Sequence, residues 1–290
     1  DTSYTNITAC DSVVWNGTTY TQSGTYISNV ASSSNYSLDF DGINNYVSIY
    51  ETTPIQNLGQ NTYTISSWIN ANNLISSFNS IVRNDGDYNL IVLDNKLYAE
   101  SFNINGFYHS RGSTILNTGN WYYITVVWDG SNHEFYINGI NDTIMMSGFL
   151  NYPPVSSALF IGRSENLSQG FEGDISNVEI WDITLTQQEI QSYMNCPPTG
   201  NEQGLVGYWN FEEGSGTIAY DQTVNGNNGI INGATYNTNV PTQSCGGALT
   251  NANGCDSTAI LNLTINQADT SYTNITACDS YDWNGTTYNN

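Results

Sequence analysis

Basic side chains are nearly missing: 290 residues hold 4 Lys+Arg against 26 Asp+Glu, a formal net charge of −22 at pH 7. So few cations cannot neutralise a phosphate backbone, which excludes nucleic acid as a partner. The same deficit argues against docking on anionic lipid. No stretch approaches the roughly 18 consecutive apolar residues of a membrane helix, and no charged, apolar and small-residue series opens the chain. No membrane insertion is therefore expected. Metal-binding patterns are scarce as well. Cysteines stand at 10, 196, 245, 255 and 278 with no Cys-x-x-Cys pair, and the histidines are His109 and His133. A disulfide framework with one cysteine left over is the expectation, which implies an oxidising, extracytoplasmic site. Aromatic residues are plentiful at 13%, too many for a disordered chain, so a packed core is available.

The chain carries an internal repeat. Residues 1–20 and 269–288 match at eighteen of twenty positions, differing only where Val13 and Val14 become Tyr281 and Asp282, at an offset of 268. Such repetition marks one period and the opening of the next. Residues 1–28 offer one cysteine, short Thr/Tyr/Val strands and an Asn16-Gly17 hairpin turn. Residues 248–268 offer an Asn253-Gly254 turn and a strand through Ile260, Leu261, Leu263 and Ile265. Each half is too small to fold alone. These halves, with residues 269–290 as the start of a further copy, resemble the Cys-containing tandem repeats of large secreted proteins from Bacteroidetes-type bacteria. The resemblance implies a secreted or cell-surface bacterial protein whose repeat is interrupted by a long insertion. It further implies a link Cys10–Cys255 between the halves, and a second link, Cys196–Cys245, clips the end of the inserted body. Sequential pairing of Cys245 with Cys255 is the alternative. Cys278 is left unpaired or joins the next repeat, and copies of the chain itself, in a linear array or filament, are the expected partners.

The insertion, 29–247, reads as strands. Tyr36, Leu38 and Phe40 alternate before an Asp41-Gly42 turn, and Tyr63, Ile65 and Ile69 alternate around Trp68. Trp121–Trp128 places Tyr122, Ile124, Val126 and Trp128 on one face, and Glu134–Ile137 ends at an Asn138-Gly139 turn. One short helix is expected where Thr186-Gln-Gln-Glu189 has capping-box spacing and Ile190 and Met194 are four apart. The class is all-β, an antiparallel jelly-roll β-sandwich with a small disulfide-linked repeat module. Leu38-Asp-Phe-Asp-Gly42, Tyr63–Ile69, Trp121–Gly130, Leu159-Phe-Ile-Gly162, Phe171-Glu-Gly-Asp-Ile175 and Val178-Glu-Ile-Trp181 resemble, in this order, the laminin-G-like domains of the concanavalin A-like lectin/glucanase class. The resemblance covers a core at 35–195. An extension at 196–247 contains Gly207-Tyr-Trp-Asn-Phe-Glu-Glu-Gly214, an element that the family usually places before its Asp-Phe-Asp-Gly strand.

The glucanase branch of that class implies closely spaced acids on one strand. Here Glu179 and Asp182 are three apart and point to opposite faces, Glu212 and Glu213 are adjacent, and no Gly-x-Ser-x-Gly elbow exists. The expectation is a protein that is not an enzyme. The family resemblance implies a structural calcium at Asp41 and Asp174, against the plainer reading of a turn former and a solvent-facing carboxylate. Phe102, Phe107, Tyr108 and His109 lie in a Gly/Asn-rich stretch read as a loop, with Phe107 and Tyr108 as candidate sugar-binding residues. The O-linked motif of Bacteroidetes-type bacteria (Asp, Ser or Thr, then an aliphatic residue or Thr) matches at Ser12, Thr143 and Ser257. The function expected is a structural or adhesive repeat unit of a surface fibre or large adhesin, with a carbohydrate-binding lectin module as the alternative.

Overall fold

The computed structural model describes residues 2–10, 12–15, 18–20, 23–29, 34–50, 55–74, 78–103, 106–150, 158–164, 169–243, 258–266, 276 and 278–289. The chain divides into two compact units, one formed by 1–29 with 249–290 and the other by 30–248.

The larger unit is a sandwich of two sheets. One runs in the order β15 (Thr143–Leu150), β11 (Gly106–Gly112), β10 (Lys96–Asn103), β9 (Tyr88–Leu93), β8 (Asn79–Asn84), β16 (Ala158–Ile161), β6 (Tyr46–Tyr50), β20 (Gly229–Asn232), β19 (Ile218–Ala219). The other runs β14 (Ile140–Asn141), β13 (His133–Ile137), β12 (Trp121–Trp128), β7 (Tyr63–Asn73), β17 (Glu172–Trp181), β5 (Ser37–Asp41), β21 (Thr235–Asn237). A further strand, β18 (Leu205–Trp209), pairs with β17. Every pairing in this unit is antiparallel, so neighbouring strands present alternate residues to the same side. Inward side chains such as Leu38, Phe40, Ile65, Ile124, Val126, Trp128 and Ile175 interdigitate as one buried core between the sheets. The turns follow their residues: Asn138 (φ 51) and Gly139 (φ 72) both take the left-handed conformation of a two-residue hairpin turn. At Gly162 (φ +81) a Cβ would sit 2.3 Å from the Phe40 ring, so only glycine lets the backbone pass the core there.

The extension completes the sandwich. β20 pairs with β6, β21 with β5 and β18 with β17, so late strands take places beside the first strands of the body. Helix α1 (Gln187–Asn195) starts at the expected capping box: Thr186 accepts from the Glu189 backbone N–H, and Glu189 reaches back to the Thr186 N–H. It carries Ile190 and Met194 onto the outer side of the second sheet, where Trp68, Tyr123, Trp181 and Tyr208 form a separate buried cluster.

In the smaller unit, β22 (Thr258–Asn266) lies between β1 (Thr2–Cys10), parallel to it, and β4 (Gly24–Asn29), antiparallel. Two hairpins, β2 (Val13–Trp15) with β3 (Thr18–Tyr20) and β23 (Ser280–Trp283) with β24 (Thr286–Asn289), belong to the same unit. The halves of the interrupted repeat are thus joined by backbone hydrogen bonds rather than by the expected Cys10–Cys255 link. Cys10 is free and exposed. The parallel register sets Cys10 against Asn266, at the opposite end of β22 from Thr258. Cys278 is also free and exposed. Cys196 is disulfide-bonded, while Cys245 and Cys255 lie outside the described residues.

Candidate functional site

Alternation along β10 builds one half of an open surface. Lys96, Tyr98, Glu100 and Phe102 are half-buried, whereas Leu97, Ala99, Ser101 and Asn103 between them are buried. The register sets Tyr98 against Arg111, Glu100 against His109 and Phe102 against Phe107 on β11. All these side chains stand on the outer face of the nine-stranded sheet. Tyr98 stacks on His109 with centroids 6.0 Å apart, Phe107 lies 6.3 Å from His109, and Phe78 meets Tyr98 edge-on at 5.8 Å. The Arg83 guanidinium lies 5.8 Å over the Phe78 ring.

Polar groups fill the spaces between the rings. Asn89 Nδ2 donates to Glu100 Oε2 at 2.5 Å, the Glu100 N–H donates to Asn89 Oδ1 at 2.8 Å, and the Tyr98 hydroxyl donates to Glu100 Oε1 at 3.2 Å. Burial and the Glu100 carboxylate hold the Tyr98 phenol above its ordinary range, so it stays a donor. Arg83 pairs with Asp85 and donates to Gln169, and Arg111 pairs with Asp94 at 2.9 Å. Three of the four Lys and Arg residues lie on this face, matched by Asp85, Asp94 and Glu100. The chemistry is that of a surface able to stack flat apolar ring faces while hydrogen-bonding hydroxyls around them.

The stretch expected to be a loop is therefore a strand pair, and its candidates separate. Phe107 joins the open face, while Tyr108 turns inward, its ring 5.2 Å from Trp128 and packed on the core. Period-two alternation forbids two consecutive strand residues from facing one ligand. Phe78, Arg83, Asn89, Tyr98 and Glu100 went unrecognised in the sequence. The signal for Tyr98 and Glu100 was there, in the alternation of large polar or aromatic residues with small or apolar ones through 96–103.

The acids take structural places. Glu179 is fully buried under α1; Tyr123 donates its hydroxyl to Oε2 at 3.0 Å, and burial pushes the carboxyl up to about 8. Asp182 is exposed in the following turn. Glu212 accepts from the Asn35 N–H at 2.8 Å, and Glu213 accepts from the Tyr220 N–H at 2.8 Å and the Tyr236 hydroxyl at 3.2 Å. His133 has serine partners that its sequence neighbours gave no hint of. Its Nε2 lies 2.7 Å from Ser101 Oγ and its Nδ1 lies 3.0 Å from Ser110 Oγ, across the two sheets. All three are buried, and burial pushes the imidazole down to about 3, so the group is a neutral tie between sheets.

Asp41 on β5 and Asp174 on the paired strand β17 are each engaged by hydrogen-bond donors. Asp41 Oδ1 accepts from the N–H groups of Ile43, Asn44 and Asn45 at 2.8, 2.9 and 3.0 Å and so caps its own turn. Burial raises its carboxyl, but these backbone donors outweigh it and hold the group below its ordinary value. Asp174 is buried, with its oxygens accepting from Asn237 Nδ2 at 2.8 Å and Asn239 Nδ2 at 2.6 Å. Both amides are oriented: Asn237 Oδ1 accepts from the Asn239 N–H, and Asn239 Oδ1 accepts from the Trp121 indole. Asp174 thus faces two amide donors. Among the described residues no group of three or more His, Cys, Asp or Glu is placed to hold a metal.

Of the glycosylation candidates, Ser12 is exposed. Thr143 Oγ1 accepts from the Phe135 N–H at 2.8 Å, and the neighbouring Asp142 is buried, holding Ser113 and Thr114. Ser257 lies outside the described residues.

Two stacked antiparallel sheets with an open aromatic face and a helix-covered face define a jelly roll of the lectin type. The profile of the concanavalin A-like lectin/glucanases superfamily matches residues 40–191, a little over half of the chain, and the chain belongs to that superfamily. A solved structure from Bacteroides ovatus, of a protein whose name assigns it to carbohydrate binding, is 20% identical with a TM-score of 0.56, covering 71% of this chain and 60% of that one. The heptameric SAP-like pentraxin of Limulus polyphemus is 13% identical with a TM-score of 0.45, covering 71% and 96%. The sushi, von Willebrand factor type A, EGF and pentraxin domain-containing protein 1 of Rattus norvegicus is 24% identical over 191 residues, 61% of this chain. The chain spans 5% of the length of that curated relative. No helix among the described residues is long and apolar enough to cross a membrane.

Proposed function

We propose that the chain is a non-enzymatic, extracellular adhesive module that binds carbohydrate on the outer face of its nine-stranded sheet. One observation carries this reading: Tyr98, His109, Phe107 and Phe78 cluster beside Asn89 and Glu100, half-buried rather than sunk in the core. The carbohydrate-binding name of the Bacteroides ovatus neighbour points the same way. A glycan array probed with the wild type and with Tyr98→Ala tests it. Binding that is lost in Tyr98→Ala, and kept when exposed Val224 is changed to Ala, is the expected result. No bound glycan, or binding indifferent to Tyr98, overturns it. Turnover of β-glucans by the purified protein would overturn the non-enzymatic part.

A second reading, a repeat unit of a bacterial surface fibre or large adhesin, rests on the eighteen matches between 1–20 and 269–288. The hairpin β23–β24 adds to it, because Tyr281, Trp283 and Tyr288 lie exposed on a two-stranded element that cannot bury them itself. A further copy of the chain would cover them, head to tail. Native material that sizes as a compact monomer would sink the filament.

A further inference from the structure

The register of the nine-stranded sheet aligns Phe160 with Arg83, Arg83 with Asn89, Asn89 with Glu100 and Glu100 with His109. These residues form one level across β16, β8, β9, β10 and β11. Four gaps between five strands, at ~4.8 Å each, make the row roughly 19 Å long. Rings stand at both ends. Tyr46 packs on Phe160 with centroids 5.9 Å apart, and Tyr98 and Phe107 flank His109. The middle of the row is polar: Arg83 and Glu100 are half-buried, and Asn89 between them is buried with its amide bonded to Glu100. A single sugar ring is far too short to reach both ends.

We infer that this face takes a linear, uncharged oligosaccharide laid across the strands, with a sugar stacked at each aromatic end and the hydroxyls of the middle sugars on Arg83 and Glu100. The inference rests on the carbohydrate-binding reading and deepens it. An uncharged ligand follows from the electrostatics. Arg83 and Arg111 already hold Asp85 and Asp94, and Lys96 stands four residues along β10 from Glu100, off the row. The −22 charge of the chain repels any polyanion. A row perpendicular to the strands also suits a chain molecule, since each strand offers one side chain per level.

Calorimetry with cello-, xylo- and manno-oligosaccharides of increasing length, one to six sugars, tests the inference. In the series that binds, Kd should tighten about tenfold or more between the disaccharide and the tetrasaccharide and then level off. Phe160→Ala should return the tetrasaccharide to disaccharide affinity while leaving the disaccharide unchanged. Phe160→Leu, which keeps the apolar bulk but removes the ring, should do the same if stacking is responsible. Tyr98→Ala should weaken every length. Binding independent of length, with Phe160→Ala silent and Tyr98→Ala damaging, overturns the extended row but leaves a carbohydrate site at the Tyr98 end. Tighter binding of an oligogalacturonide than of any neutral chain overturns the uncharged ligand. No binding of any length removes both the row and the carbohydrate reading.

Discussion

On the outer side of the eight-stranded sheet, Trp68, Tyr123 and Trp181 lie beneath helix α1 and are buried. On the outer side of the nine-stranded sheet, Tyr98, Phe107 and His109 remain half-buried at the surface. Both faces come from the same alternation, and both carry aromatic rings next to a carboxylate. What differs is the cover. Under the helix, Glu179 loses water and its rings gain burial, so that face supplies cohesion. On the other face, half-buried Glu100 and Tyr98 stay within reach of solvent while buried Asn89 bonds Glu100, which leaves the surface free to exchange water for a ligand. An aromatic residue in a sandwich is thus read by what lies over its strand rather than by its type.

The sharpest way to break this comparison is truncation on each face. Trp181→Ala should cost about 3–5 kcal/mol in denaturant unfolding, because it empties the space under α1. Phe107→Ala should cost under about 1 kcal/mol and act on glycan binding instead. Equal losses would mean the open face is also structural.

Two of the buried titratable groups, Glu179 and His133, should give opposite pH limbs. Glu179 is raised from 4.5 to about 8 by burial, so the folded state keeps a proton that the unfolded chain has lost. Its stabilisation is complete below about pH 4.5 and fades as pH rises through about 8. Glu179→Gln should flatten that limb, by an amount on the order of a few kcal/mol. His133, lowered from 6.5 to about 3, works the other way, and stability should fall as pH drops from about 6.5 toward 3. Urea midpoints from pH 4 to 9 measure both, and an unchanged alkaline limb in Glu179→Gln would refute the first.

Tyr108 and Phe107 are neighbours in sequence and opposites in structure. Tyr108→Ala should lower stability by about 2 kcal/mol through its lost contact with Trp128 and leave glycan binding intact once refolded. The reverse pattern would show that the strand presents its other side to the ligand. Thr186→Ala should cost only about 1 kcal/mol, by removing the cap of α1, and should not touch binding. Chelation closes the series: a fall of the melting temperature by several degrees in EDTA would place a structural calcium at Asp41 and Asp174, and an unchanged curve would retire both as ligands.

Local signals were enough for much of this molecule. The alternation at 36–40 and 121–128, the Asn138-Gly139 turn and the Thr186–Glu189 box each act over a few residues, and each appears where its residues stand. The eighteen-residue match between the chain's two ends is likewise complete in the letters themselves. Other features depend on register between distant strands, which no local pattern contains. Only the parallel pairing of β1 with β22 carries Cys10 to the far end of β22, away from Thr258. Asp174 becomes a hydrogen-bond acceptor because Asn237 and Asn239 arrive from more than sixty residues later. Ser101 and Ser110 reach His133 across two sheets, and Tyr98 meets His109 on the neighbouring strand and Phe78 just before β8. Periodicity tells which side of a strand a residue occupies. Tertiary packing alone decides whether that side is roofed, as Trp181 is by α1, or left open, as Tyr98 is, because hydrophobic burial acts between elements whatever their separation in the chain.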